Sequence, residues 1–121
     1  MASQHGSLSP ERWAVFTLDQ QLLMIANEMN RGRKLMAPGD RPLLDGCYER
    51  ALRLLDLTIQ VQERYGLRRE LLRWRDLVAE LYVSETPRSE AHDVAFLCLL
   101  KLHPTPYQQI PLLFPRSQTP S

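Results

Sequence analysis

The sequence predicts an all-α protein, an up-and-down four-helix bundle followed by a proline-rich, extended C-terminal arm. Two observations carry this. From Arg41 to Val83 the chain holds one proline, Pro42, and its apolar residues recur every three or four positions: Leu44, Cys47, Tyr48, Ala51, Leu55, Thr58, Val61 and Tyr65, then Leu71, Trp74, Val78 and Leu81. That spacing sets each group on one side of a helix, and the stripe must be buried against other helices. Beyond His103 the character changes, with prolines at 104, 106, 111, 115 and 120. Such a run disfavours helix and favours polyproline-like backbone. The expected organisation is a short flexible N-terminus over 1–8, a helical domain over 9–103 and the arm over 104–121.

Each element has local punctuation. Ser9-Pro10-Glu11 reads as an N-cap, a proline at the first helical position and an acidic first turn. Thr17-Leu18-Asp19-Gln20 reads as a capping box. A brief turn around Trp13 followed by a main helix from Asp19 satisfies both. That helix carries Leu22, Ile25, Ala26 and Met29 on one face and frays near Gly32. Ala37-Pro38-Gly39 breaks the chain and Asp40 is expected to cap the second helix, from Arg41 to Tyr65. Gly66 is expected to end it in left-handed conformation. The third helix runs to about Val83, and Thr86-Pro87 opens a fourth, reaching about Leu102. The centre of the fourth, Val94 to Leu100, is apolar all round. A helix without a polar face must be covered, and the three remaining helices offer limited cover, so a homodimer is expected. Val94, Phe96, Leu97, Leu99 and Leu100 are its expected interface, joined by Tyr107, Leu112, Leu113 and Phe114 of the arm.

Composition narrows function by exclusion. With 121 residues, 15 Lys and Arg against 14 Asp and Glu, and a net charge of +1, the chain lacks the strongly basic balance of a general polyanion binder. Cys47 and Cys98 fall on the predicted buried stripes and read as reduced core thiols. The polar N-terminus lacks signal-peptide features, and no apolar run approaches the ~20 residues that span a bilayer. The expected setting is the cytoplasm, without membrane attachment.

Candidate chemistry is sparse. Arg64, Arg68, Arg69, Arg73 and Arg75 form one basic flank, and Arg31, Arg33, Lys34 and Arg41 bracket the first interhelical loop. Interleaved Glu70 and Asp76 favour a solvated face of ion pairs, although the two clusters would offer an RNA or phosphate groove if a dimer joined them. Glu49, Asp56 and Glu63 repeat every seventh residue, but no Glu-x-x-His pair accompanies them, so neither metal nor cofactor is expected. Among His5, His92 and His103, only His92 stands one turn from an arginine, Arg88. Guanidinium and imidazole together could act on a phosphodiester. The expected arrangement is instead a solvent-facing first helical turn.

Two segments, LDQQLLMIANEMNR and CYERALRLLDLT, are similar to sequences in an uncharacterised group of small all-helical prokaryotic proteins. Tyr48-Glu49-Arg50-Ala51 and Leu54-Leu55-Asp56-Leu57 carry most of that resemblance, which covers roughly Glu11 to Leu102. The layout also resembles HEPN-type helical bundles, which serve as RNases or as partners of small nucleotidyltransferases. Arg88 and Ser89 match the opening of the active HEPN signature, but His92 follows after three intervening residues instead of four to six. The resemblance therefore implies an inactive or accessory member. The expected role is a non-catalytic interaction protein, a homodimer or the helical partner of an enzyme. The alternatives are an HEPN-like RNA-binding or RNA-cleaving protein and an export or assembly chaperone.

Overall fold

The structure, a computed structural model, describes residues 8–86, 88–103 and 107–114. All regular structure among them is helical. The helices are α1 (Pro10–Trp13), α2 (Leu18–Gly32), α3 (Arg41–Val61), α4 (Tyr65–Val83), α5 (Ser89–Leu100) and α6 (Ile110–Leu113), with a 3-10 turn at Pro38–Asp40. No helix among these residues is long and apolar enough to cross a membrane. The N-terminal stretch with His5, together with Pro87, Pro104, Pro106, Pro115 and Pro120, lies outside the described residues.

The entry into the fold follows its local chemistry. Ser9 Oγ accepts from the Arg12 amide to start α1. The capping box of α2 is complete: Gln20 N–H donates to Thr17 Oγ1, and Thr17 N–H donates to Gln20 Oε1. Between the two helices, Gln21 donates from Nε2 to the carbonyls of Trp13 and Phe16, each at 3.0 Å. The Trp13 carbonyl also accepts from the Phe16 amide, so Gln21 adds a second bond there and gives the Phe16 carbonyl a donor after the abrupt end of α1. Trp13 is buried in the core, 1% exposed, and its indole N–H donates to Thr58 Oγ1 at 2.9 Å. Thr58 in turn donates to the Leu54 carbonyl.

Helix α2 packs against α3 and α5, and α4 packs against the same two helices. Neighbours run in opposite directions. Arg41, at the start of α3, donates to the carbonyl of Tyr82, near the end of α4. Further along, Tyr82 donates to Glu49 and Arg75 pairs with Asp56. The predicted apolar faces are buried: Leu22, Ile25, Ala26 and Met29 on α2, Leu44 to Thr58 on α3, and Leu71, Trp74, Val78 and Leu81 on α4. Two members of the stripe are exceptions: Val61 is only half-buried, and Tyr65 is 74% exposed at the start of α4. Trp74 donates from Nε1 to the Ala95 carbonyl at 2.7 Å, so its polar edge is satisfied where α4 crosses α5.

Several expected boundaries are corrected. Helix α3 ends at Val61, because Gln62 turns to extended backbone and its side chain accepts from the Arg64 amide. Gly66 therefore falls in the first turn of α4, and no glycine among the described residues has a positive φ. Asp40 makes no side-chain cap, because it is drawn into the 3-10 turn ahead of α3. Helix α5 begins at Ser89, two residues later than expected. Downstream, Ile110–Leu113 is a helical turn in spite of Pro111, which stands in its first turn, where no amide hydrogen is needed. Ile110 is buried, and Leu113 and Phe114 pack at the edge of the core. Arg33 fixes this segment: it donates to the Leu113 carbonyl at 2.9 Å and lies 4.2 Å above the Phe114 ring. Phe114 meets Phe96 edge to face, with ring centroids 5.4 Å apart.

Replacing Thr58 with valine keeps the volume but strands the Trp13 indole N–H in a dry core. We expect Thr58→Val to lower the unfolding free energy by about 1–3 kcal/mol in urea titrations, and Thr58→Ser to retain most of it. Equal stability of the valine variant and wild type would contradict this role for the bond.

Candidate functional site

The arginine–histidine pair does not face solvent together. Arg88, the residue preceding α5, is exposed, while His92 is fully buried (0% exposed) on the face that α5 turns toward α2 and α3. Its Nε2 lies 2.7 Å from the Met29 carbonyl of α2, and its Nδ1 lies 2.8 Å from the Tyr48 hydroxyl of α3. A carbonyl can only accept, so Nε2 carries the proton. Nδ1 of the neutral ring then accepts from Tyr48 O–H. Burial lowers the His92 pKa below its ordinary 6.5, and burial raises that of Tyr48. Both groups stay neutral, and each polar atom of the relay has a partner. Gly32 makes the approach of α2 feasible, because a Cβ there would stand 2.8 Å from His92 Cε1. The expectation of a solvent-facing His92 is thus corrected. Positions 92, 96 and 99 share one face of α5, and packing Phe96 and Leu99 carries the histidine inward with them. A phosphodiester cannot reach this imidazole.

The basic residues divide by location and by partner. Arg31, Arg33 and Lys34 lie at the C-terminal end of α2, whereas Arg68 and Arg69 stand near the start of α4. The alternating helix directions put these groups at opposite ends of the molecule. Arg33 is engaged by Asp93 at 3.4 Å as well as by the C-terminal segment. Arg73 pairs with Glu70, Arg75 with Asp56, and Arg69 lies over the Tyr65 ring at 5.9 Å. Arg31 and Arg50 both reach the buried carboxylate of Glu28. This last cluster was invisible as a motif, yet Gln21, Ile25 and Glu28 share the inward face of α2.

Acidic and thiol groups show no converging chemistry. Among the described residues no group of three or more His, Cys, Asp or Glu side chains is arranged to hold a metal ion. Glu49 accepts from Tyr82 and Asp56 pairs with Arg75, on the outer side of α3. Cys47 is buried, and burial, with the Glu28 carboxylate beside it, raises its pKa away from the reactive thiolate. Cys98 was expected in the core but is exposed.

The expected interface also divides. Phe96, Leu99 and Leu100 are enclosed by their own chain, and Leu97 is half-buried. Helices α2 and α4, with Phe114, give α5 more cover than three helices alone were expected to supply. Val94 remains 57% exposed, and Tyr107 and Leu112 also face outward. Val94, Ala91 and Cys98 form a stripe on α5 beside Leu77 of α4. Two open depressions of about 310 and 330 Å³ run along this seam and share Leu77. A wider one, about 500 Å³, lies outside α3 between Leu8 and Arg53, but its Glu49 and Asp56 are already engaged.

Comparison of the chain with protein-family models, curated proteins and solved structures finds no match.

The relay makes stability depend on pH in one direction. With the folded pKa of His92 below 6.5, its contribution is complete above that pH. It is lost as pH falls below 6.5, where the unfolded chain takes up a proton that the folded chain refuses. We expect the stability advantage of wild type over His92→Gln to shrink in urea titrations between pH 7.5 and pH 5.5, on the order of one pKa unit to either side of that midpoint. An advantage constant across this range would contradict the assignment. Gly32→Ala should destabilise by roughly 1–3 kcal/mol through overpacking against the imidazole.

Proposed function

We propose that this protein is a non-catalytic interaction module, an up-and-down four-helix bundle with a C-terminal arm, that works by holding another protein surface. The observation that carries the reading is the α4–α5 seam, where Leu77, Ala91, Val94 and Cys98 line an open apolar groove with charged lips. An apolar stripe of this kind, rimmed by charge, suits a packed helical partner. The partner is a second copy of the chain or an enzyme for which the bundle is an accessory. The alternative chemistry loses its support at His92, whose two nitrogens are occupied by Tyr48 and the Met29 carbonyl.

Purified protein incubated with single-stranded and structured RNA tests this directly. We expect no cleavage above background, and identical behaviour from Arg88→Ala, whose side chain is exposed and free to change without disturbing the core. Cleavage by wild type that Arg88→Ala abolishes would overturn the non-catalytic reading.

A further inference from the structure

We propose that the α2–α5 seam is a helix-docking site, which the chain fills with its own C-terminal segment. Its outside ligand is a helix of another protein with two apolar residues and an aromatic ring at positions i, i+3 and i+4. The occupant already in place displays what the seam reads. Ile110, Leu113 and Phe114 stand at that spacing and turn toward the core, whereas Pro111 and Leu112 face outward. An apolar groove receives the inner face of an amphipathic helix in this way. Ile110 is buried, and Phe114 meets the Phe96 ring of α5 edge to face. Arg33 supplies the polar part, donating to the Leu113 carbonyl at 2.9 Å while its guanidinium lies 4.2 Å from the centre of the Phe114 ring. The first contact accepts any residue at that position; the second selects an aromatic one.

The seat stands without its occupant. Helix α5 is placed by the His92 bridge to α2 and α3 and by the Trp74 bond to the Ala95 carbonyl. Arg33 is held by Asp93 of α5 at 3.4 Å. The segment itself is lightly held. The amides of Leu112 and Leu113 bond to the Gln109 carbonyl and that of Phe114 to the Ile110 carbonyl, all within the segment. Only Ile110 is fully buried, and Leu113 and Phe114 are half-buried. Its departure breaks no bond between the long helices and leaves Arg33, Asp93 and Phe96 in place, the kind of local opening that costs less than global unfolding. The segment is also a shortened version of its competitor. Pro111 has no amide hydrogen, so α6 cannot be extended toward its N-terminus. A partner helix without that proline runs on for further turns along α2. Those added contacts offset the effective concentration, on the order of millimolar, that tethering gives the occupant. The site lies on the side of α5 away from Ala91, Val94 and Cys98, so it and the α4–α5 seam stand or fall separately.

The test uses the full chain carrying Ile110→Ala and Phe114→Ala together, which removes the occupant's anchors and keeps the seat. The probe is a synthetic proline-free helical peptide with Ile, Leu and Phe at i, i+3 and i+4 on an alanine, glutamate and lysine background. In a nuclear magnetic resonance titration to millimolar peptide, we expect saturable shifts at the Arg33, Asp93 and Phe96 amides of the double variant. Wild type should bind about tenfold more weakly, because its own segment competes. Adding Arg33→Gln to the double variant, or replacing the peptide's Phe with Ala, should each cost about tenfold in affinity. No binding by the double variant, equal binding by wild type, or indifference to Arg33→Gln would each overturn the proposal. Hydrogen exchange on wild type keeps the question decidable if the double variant unfolds. We expect the amides of Leu113 and Phe114 to exchange well before those of Met29 and Phe96, and exchange in step would overturn the proposal. A wild-type dimer that the double variant breaks would give the seam to a second copy of the chain instead, which also overturns it. RNA left uncut with no peptide bound removes this site and leaves the non-catalytic reading, whereas RNA cleaved with peptide bound does the reverse.

Discussion

The arrangement of this molecule depends on a dry hydrogen-bonded bridge that joins three helices at one point. His92 of α5 donates to the Met29 carbonyl of α2 and accepts from the Tyr48 hydroxyl of α3. A buried polar group without partners costs several times what a satisfied one contributes, so this bridge is strict about geometry. Any sliding of α5 along α2 would strand at least one of its atoms. Gly32 belongs to the same constraint, because only a residue without a side chain lets α2 and the imidazole approach so closely. Apolar packing supplies most of the cohesion, but it is tolerant of register. The bridge is what selects one register.

The same logic recurs farther out. Trp13 and Trp74 each bury a large ring and place the indole N–H on an acceptor, Thr58 Oγ1 in one case and the Ala95 carbonyl in the other. Arg33 lies across the end of α2, binds Asp93 and the Leu113 carbonyl, and gives Phe114 a cationic roof. These contacts close the α2–α5 side of the molecule. Among the described residues no comparable contact covers the α4–α5 seam, where Leu77 and Val94 stay partly open to solvent. The contrast between a closed side and an open one is the physical basis for the proposed recognition at this seam.

Elements fixed by short-range chemistry were legible in the sequence. The Thr17–Gln20 capping box needs only three residues of separation, and it forms as its spacing dictates. The α4 stripe of Leu71, Trp74, Val78 and Leu81 is buried in full, because helical period alone sets a face. Gly66 was misleading, since glycine permits a left-handed cap without requiring one, and the Gln62–Arg64 amide bond provided another exit. Pro111 misled in the opposite sense, because a proline excludes helix only beyond the first turn. The location of His92 depended on partners 44 and 63 residues away, which no local pattern encodes. Its four-residue spacing from Phe96 was the one available clue. The charged lips of the α4–α5 groove were likewise beyond reach, since they arise only when two helices are laid side by side.

The most direct test of the central claim is the protonation state of the His92 ring, read by long-range proton–nitrogen correlation in solution. We expect one protonated nitrogen, Nε2, and one bare nitrogen, Nδ1, to persist from neutral pH to below the ordinary histidine midpoint of 6.5. A ring that titrates freely to the imidazolium at that midpoint, or that carries its proton on Nδ1, would contradict it.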